Sequence, residues 1–172
     1  DFSYLSRRMS EGQPPWTYLP RVAALMQRSK LKEHWPEKVV ATEEYPPNIQ
    51  LATGRLVPLG VIVKVVNSNT YDAMPLADGE FDLVVNRHSA FNSGEVARIL
   101  ASNGTFFTQQ VHGLWAQDLL AAFDAEPQWP DWTLANSSAR LEAAGLEIVD
   151  AQEWSGKLTF SDVGAIVYYL KA

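Results

Sequence analysis

Four clusters of polar residues stand directly after runs rich in β-branched residues, and these are the places where the chain could do chemistry. Glu43 and Glu44 follow Val39-Val40-Ala41, and Asn67 to Asp72 follow Val61-Ile62-Val63-Lys64-Val65-Val66. Asn86-Arg87-His88 follows Phe81-Asp82-Leu83-Val84-Val85, and Gln109 to His112 close the run that starts at Thr105. A carboxylate at a strand end, as at Glu43, can accept hydrogen bonds from both hydroxyls of a ribose, or it can simply be solvated. His88, in the third cluster, has an ordinary pKa that suits proton transfer near neutrality; the alternative is a strand-end histidine with its hydrogen bonds satisfied. Arg87 can hold a substrate or pair with a neighbouring carboxylate.

What the sequence lacks narrows the chemistry. With no cysteine there is no disulfide, thiolate metal site or thiol nucleophile, and the separated His34, His88 and His112 form no ligand cluster, so no metal is expected. The chain has no Gly-x-Ser-x-Gly, Gly-Lys-Ser/Thr or His-Glu-x-x-His pattern. The net charge of −6 is uneven: residues 1–40 carry a local +3 and the remainder −9. A long polyanion would meet repulsion across the main body, so a small-molecule or protein partner is expected over nucleic acid, the small molecule first. The arginines of the N-terminal segment read as a solvated helix face or as a phosphate-facing one. No apolar run is long enough for a membrane span and the start lacks a secretory pattern, so a cytoplasmic protein without a membrane partner is expected.

The elements that must position these residues are legible in the spacing. One domain is expected over 1–172, with a helical segment over 1–30 and an α/β core over 39–172. Leu19, Val22, Leu25 and Met26 recur at helical spacing. Pro46-Pro47 open a helix with Ile49, Ala52 and Leu56 on one face. Further helices are predicted over Ser93 to Leu100, Trp115 to Phe123 and Leu134 to Ala144, with Thr133 and Gly145 capping the last of these, while the apolar run Asp162 to Leu170 reads as a strand or, given its Asp start and length, as a buried helix. Asn103-Gly104 reads as a left-handed helix stop before a strand over Thr105–Val111, and Leu146 to Val149 reads as another strand. The apolar runs are too continuous for half-solvated strands. They predict a mostly parallel sheet, helices on both faces, with ligands beyond the carboxyl ends of the strands. Glu43, Asp72 and Asn86 should then gather at one edge. The tryptophans Trp16, Trp115, Trp129 and Trp132 read as core or as an apolar substrate lid.

Two stretches carry a family resemblance. The run from Asp72-Ala73-Met74-Pro75-Leu76-Ala77-Asp78-Gly79-Glu80 into Phe81-Asp82-Leu83-Val84 resembles the class I S-adenosylmethionine-dependent methyltransferases, in which an Asp-Ala, a turn and an Asp-Gly precede the fourth strand. Ile99-Leu100-Ala101-Ser102-Asn103-Gly104-Thr105-Phe106 is similar to the family's Gly-Gly turn before its fifth strand, with Asn103 in place of the first glycine. The resemblance spans about residues 39–155 and is nearest the bacterial branch loosely related to ribosomal-RNA guanine methyltransferases. It implies a Rossmann-like α/β sheet and S-adenosyl-L-methionine as cofactor. It further implies that Glu43 binds the ribose, that Asp72 and Ala73 meet the adenine amino edge, and that Asn86, Arg87 and His88 line the reaction centre. In that assignment Asn86 and His88 are the catalytic positions, Asn86 also touches cofactor, and Arg87 binds substrate. Asp72 keeps a second reading as a turn-former ahead of Pro75.

The departures from the family are equally specific. Nothing between Ser29 and Val39 supplies the family's first strand or its Gly-rich loop, and the chain reaches Lys171-Ala172 without a clear seventh strand. Either about 15–20 residues are missing near Lys30 and Leu31, estimated from a strand, a turn and a first helical turn, or a relative has lost them. The first case predicts a spatial break between about Ser29 and Lys32 and a methyltransferase. The second predicts a methyltransferase-like binding or scaffold domain without catalytic activity. The methyl acceptor and the oligomeric state are not encoded in any motif.

Overall fold

The computed structural model describes residues 36–66 and 73–171. The N-terminal helix, the break expected between Ser29 and Lys32, and Asp72 lie outside them. The first unit is strand, helix, strand: β1 (Val40–Glu43), α1 (Pro46–Leu56), a single 3₁₀ turn (Val57–Leu59) and β2 (Ile62–Val65). Proline is tolerated in the first turn of α1 because the missing N–H would have had no partner there. The Tyr45 carbonyl accepts the N–H groups of Asn48 and Ile49, which starts the helix without a side-chain cap. Gly60 turns the chain at φ +79°, a value that disfavours any residue with a Cβ. β1 and β2 run parallel, Val40 opposite Ile62 and Glu43 opposite Val65. Ala52 and Leu56 of α1 are fully buried and close on Val61, with Val39, Ala41, Leu59 and Val63 around them. Full burial of Leu56 alone contributes about 1.5–3 kcal/mol.

The second unit repeats the plan with longer strands: β3 (Phe81–Arg87), α2 (Ser93–Ile99) and β4 (Leu100–Gln109). Asn92 caps α2, its side-chain oxygen accepting the Glu95 N–H. β3 and β4 are parallel, but the register jumps between Phe81 opposite Leu100 and Leu83 opposite Thr105. Asn103 takes the left-handed conformation expected of it at φ +64°. Its place differs from expectation, because the helix already ends at Ile99 and Asn103 lies inside the irregular start of β4. Gly104 is needed there for space: a Cβ would lie 2.9 Å from both the Ala101 and the Phe81 carbonyl oxygens.

Three short helices follow, α3 (Gln117–Ala122), α4 (Leu134–Ala143) and α5 (Val163–Lys171). Thr133 caps α4 through the Asn136 N–H and Gly145 follows its end at φ +88°, as the sequence predicts. Asp162 accepts the Ala165 N–H at the start of α5. The second core gathers Phe91, Val96, Leu100 and Leu141, with Val84, Phe106, Trp132, Leu146 and Ile148 packed on it. Phe91 meets the edges of Phe106 and Trp132, ring centroids 5.2 and 5.5 Å away.

The result is an incomplete Rossmann-like α/β fold, and it corrects three expectations. Among the described residues the strands form two separate two-stranded sheets, the ladder joining β1 to β2 and β3 to β4. The pairs meet at their beginnings, where Lys38, just before β1, contacts the Glu80 carboxylate and lies over the Phe81 ring. Leu146 to Val149 is not a strand among the described residues: Leu146 and Ile148 turn to the core, but no neighbour supplies a ladder and Val149 is almost fully exposed. Among the described residues, the β3–β4 pair is covered on one face only. The α2 crossover packs against Val84 and Phe106, whereas Leu83, Val85 and Phe107 on the opposite face are each more than half exposed.

Candidate functional site

The pleat and register of the second unit build the densest polar group. Asn86 stands opposite Thr108, on the face where Val84 and Phe106 point to the core. Gln110, two residues beyond Thr108, donates through Nε2 to Asn86 Oδ1 at 2.6 Å, to Thr108 Oγ1 at 2.7 Å and towards the Ser89 carbonyl at 3.2 Å. Thr108 donates to the same Asn86 oxygen at 3.2 Å. The Gln110 oxygen accepts the indole N–H of Trp132 at 3.3 Å. Asn86 is thereby held through its carbonyl oxygen, with its amide nitrogen 3.5 Å from the Ala90 carbonyl.

Arg87 and His88 continue the strand end. Arg87 is 5% exposed and donates Nε to the Gln109 side chain at 2.9 Å. His88 sits in the left-handed region at φ +50°, its backbone N–H bonded to the Gln109 carbonyl. Partial burial, and then the Arg87 charge, push its pKa below the ordinary 6.5, although one side of the residue remains open to solvent. A neutral imidazole at neutral pH follows, which is the form that can accept a proton. His112 accepts the Leu114 N–H on Nδ1, with its Nε2 3.7 Å from a Glu153 oxygen.

Glu43 is the last residue of β1, and one carboxylate oxygen accepts the N–H groups of Glu44 and Tyr45, both at 2.9 Å. The carboxylate is thus oriented by the turn that follows it. Both Glu43 and Asn86 lie at the carboxyl ends of parallel strands, but on different strand pairs, and Glu43 takes no part in the Asn86–Thr108–Gln110 cluster. Ala73 begins the described part of the turn that runs to Glu80, and it is exposed.

That turn is fastened by two residues the sequence reading passed over. Arg98 donates to Glu95, Asp78 and the carbonyls of Met74 and Leu76, and Glu95 accepts the Met74 N–H. The hydrogen bonds from Arg98 hold the Glu95 carboxyl below its usual range despite burial, with the Met74 N–H assisting. Glu95 and then Asp78 raise the Arg98 pKa in turn. A signal was present: Glu95 shares its helix face with buried Val96 and Ile99, and a glutamate on an apolar stripe with an arginine three residues on implies a paired charge.

The aromatic residues divide. Trp132 belongs to the core, with the Arg140 guanidinium 5.3 Å over its ring, while Trp129 at the tip of the same loop is 64% exposed. Gly113 anchors that loop by donating its N–H to the Trp132 carbonyl, and a Cβ there would fall on the Trp129 carbonyl. Among the described residues no helix is long and apolar enough to cross a membrane, and no three His, Cys, Asp or Glu side chains gather as metal ligands.

No curated protein and no solved structure matches the chain. Residues 24–108 match the family model described as a methyltransferase domain, a span that contains Glu43, Asp72, Ala73, Asn86, Arg87 and His88.

Proposed function

We propose that the chain binds S-adenosyl-L-methionine at the carboxyl ends of β1 and β3 and transfers its methyl group to a small-molecule acceptor. The observation that carries this reading is the placement of Glu43 and of Asn86-Arg87-His88 at the carboxyl ends of parallel strands inside the span that matches the family. The residues fit the cofactor in two respects: a carboxylate already turned by backbone N–H groups suits a ribose diol, and a fastened turn beside Ala73 suits the adenine edge. When bound, the cofactor supplies a methyl group activated by its positive sulfur, so the protein's task is orientation and exclusion of water.

In this reading Glu43 holds the ribose, and Asp72 with Ala73 meets the adenine. Asn86, held through its oxygen by Thr108 and Gln110, presents its amide to the reaction centre. His88 takes the proton of an acceptor that arrives protonated, and Arg87 lines the acceptor side. The −9 charge of the chain beyond residue 40 favours a small molecule over a long RNA, with a ribosomal guanine as the minority reading. A scaffold that has lost the chemistry is the second reading, favoured by the missing Gly-rich sequence between Ser29 and Val39.

Calorimetric titration with S-adenosylhomocysteine tests the cofactor assignment. Hydrogen bonds to a charged group contribute about 1.5–3 kcal/mol, so Glu43→Ala is expected to lose roughly tenfold to hundredfold in affinity. Glu44→Ala, one residue further, should lose far less. Equal affinities in the two folded variants would remove Glu43 from the site. Binding without methyl transfer to any tested acceptor would favour the scaffold.

A further inference from the structure

We propose that Glu95 and Arg98 are positioning residues for cofactor recognition, fixing the Met74 peptide groups so that Ala73 meets adenine in a preset geometry. The proposal rests on the reading of Ala73 as an adenine contact. Its support is the use made of Arg98's donors. Nε donates to Glu95 Oε1 at 2.8 Å, and Nη2 to Glu95 Oε2 at 2.7 Å and to the Met74 carbonyl at 3.2 Å. Nη1 donates to the Leu76 carbonyl at 2.8 Å and to Asp78 at 2.6 Å. All five N–H groups of a guanidinium are accounted for by these five bonds.

Met74 is held on both sides. Its N–H donates to Glu95 Oε2 at 2.8 Å while its carbonyl accepts from Arg98, so the peptide that joins Ala73 to Met74 and the one after it are both fixed. The far end of the turn is held as well, where the Gly79 N–H donates to the Arg98 carbonyl at 2.8 Å. A pair whose only role was to staple α2 would not need to reach residues more than twenty positions earlier. Here the forked, bidentate ion pair is a rigid bracket on α2, and the turn hangs on its outer side. Since Glu95 is 7% exposed, solvent does little to loosen it. A turn ordered before the ligand arrives spares binding the cost of ordering it. Lysine cannot replace Arg98, because a single ammonium cannot donate in a fork to Glu95 and also reach two carbonyls and Asp78.

The test compares S-adenosylhomocysteine with S-inosylhomocysteine, which lacks the adenine amino group, by calorimetric titration of the full chain. The wild type should prefer the adenosyl compound. Arg98→Lys and Glu95→Gln should weaken S-adenosylhomocysteine by about tenfold and bring the two ligands to within about threefold of each other. Leu141→Ala, which weakens the core under α2 without removing any hydrogen-bonding group of the bracket, should keep the wild-type preference, which separates positioning from loss of stability. If Arg98→Lys does not fold, Asp78→Ala removes one partner of the bracket at an exposed position and should narrow the preference in the same direction. A wild-type preference retained in the folded bracket variants overturns the proposal. Failure of the wild type to bind either compound instead overturns the cofactor reading beneath it.

Discussion

The β1–β2 and β3–β4 pairs share one plan of strand, helix and parallel strand, yet they support their polar ends differently. β1 and β2 are four residues each and rest on a cluster of three buried apolar side chains. β3 and β4 are seven and ten residues long and rest on four buried side chains, to which Phe106 and Trp132 add edge-on aromatic contacts with Phe91. The longer pair can therefore carry a side-chain network, Asn86 with Thr108, Gln110 and Trp132, on top of its apolar core. The shorter pair carries Glu43, which is oriented by the next two backbone N–H groups. Groups that must be aimed by their neighbours sit on the better-packed half, and the group that can be aimed by its own turn sits on the thinner one.

Truncating one core at a time is the strongest way to break this comparison. Leu56→Ala and Leu141→Ala each remove a buried leucine and should cost about 2–5 kcal/mol, read from urea unfolding. Hydrogen exchange then asks whether the halves are distinct: Leu56→Ala should accelerate exchange in Val40–Glu43 more than in Phe81–Arg87, and Leu141→Ala the reverse. Equal acceleration in both strands would show one cooperative unit and dissolve the distinction. Next in size is Gly104→Ala. Two carbonyl oxygens at 2.9 Å from the added carbon are backbone atoms that cannot swing aside, so a loss of about 1–3 kcal/mol is expected, with β3–β4 amides affected first.

The smallest expected effect is a pH dependence. His88 has a folded pKa below 6.5, with partial burial as the first cause and Arg87 as the second. A lowered folded value means that the folded chain holds fewer protons than the unfolded one. The stability from neutral His88 is complete above 6.5 and is lost as pH falls through the lowered value. If His88 accepts the acceptor's proton, the acid limb of the rate profile should lie below 6.5 and vanish in His88→Gln. An acid limb unchanged in that variant would assign it to another group.

Much of the fold was legible because local rules were obeyed locally. Pro46 at a helix start, Thr133 and Gly145 at the two ends of α4, and Asp162 ahead of α5 satisfy backbone groups within a few residues. The same holds for Glu43, Asn86, Arg87 and His88 as strand-end residues, since a strand's end is marked by where its apolar run stops. Leu146 to Val149 misled because alternation of apolar residues signals which side faces the core and says nothing about a partner strand. Asn103 misled because a left-handed residue serves equally to end a helix and to shape an irregular strand.

The sequence by itself determined the element types, the parallel pairing implied by continuous apolar runs, and the residues left at strand ends, since each depends on periodicity or on contacts a few residues apart. Tertiary structure alone decided that the strands split into two pairs, that the face bearing Leu83, Val85 and Phe107 stays largely open, and that Gln110 joins Asn86. It also decided that Arg98 closes on the Met74 turn. These contacts join residues more than twenty positions apart. Hydrogen bonds of 2.6–3.2 Å between such residues depend on register, on crossover direction and on which side chains the core already occupies, and no local pattern carries those distances.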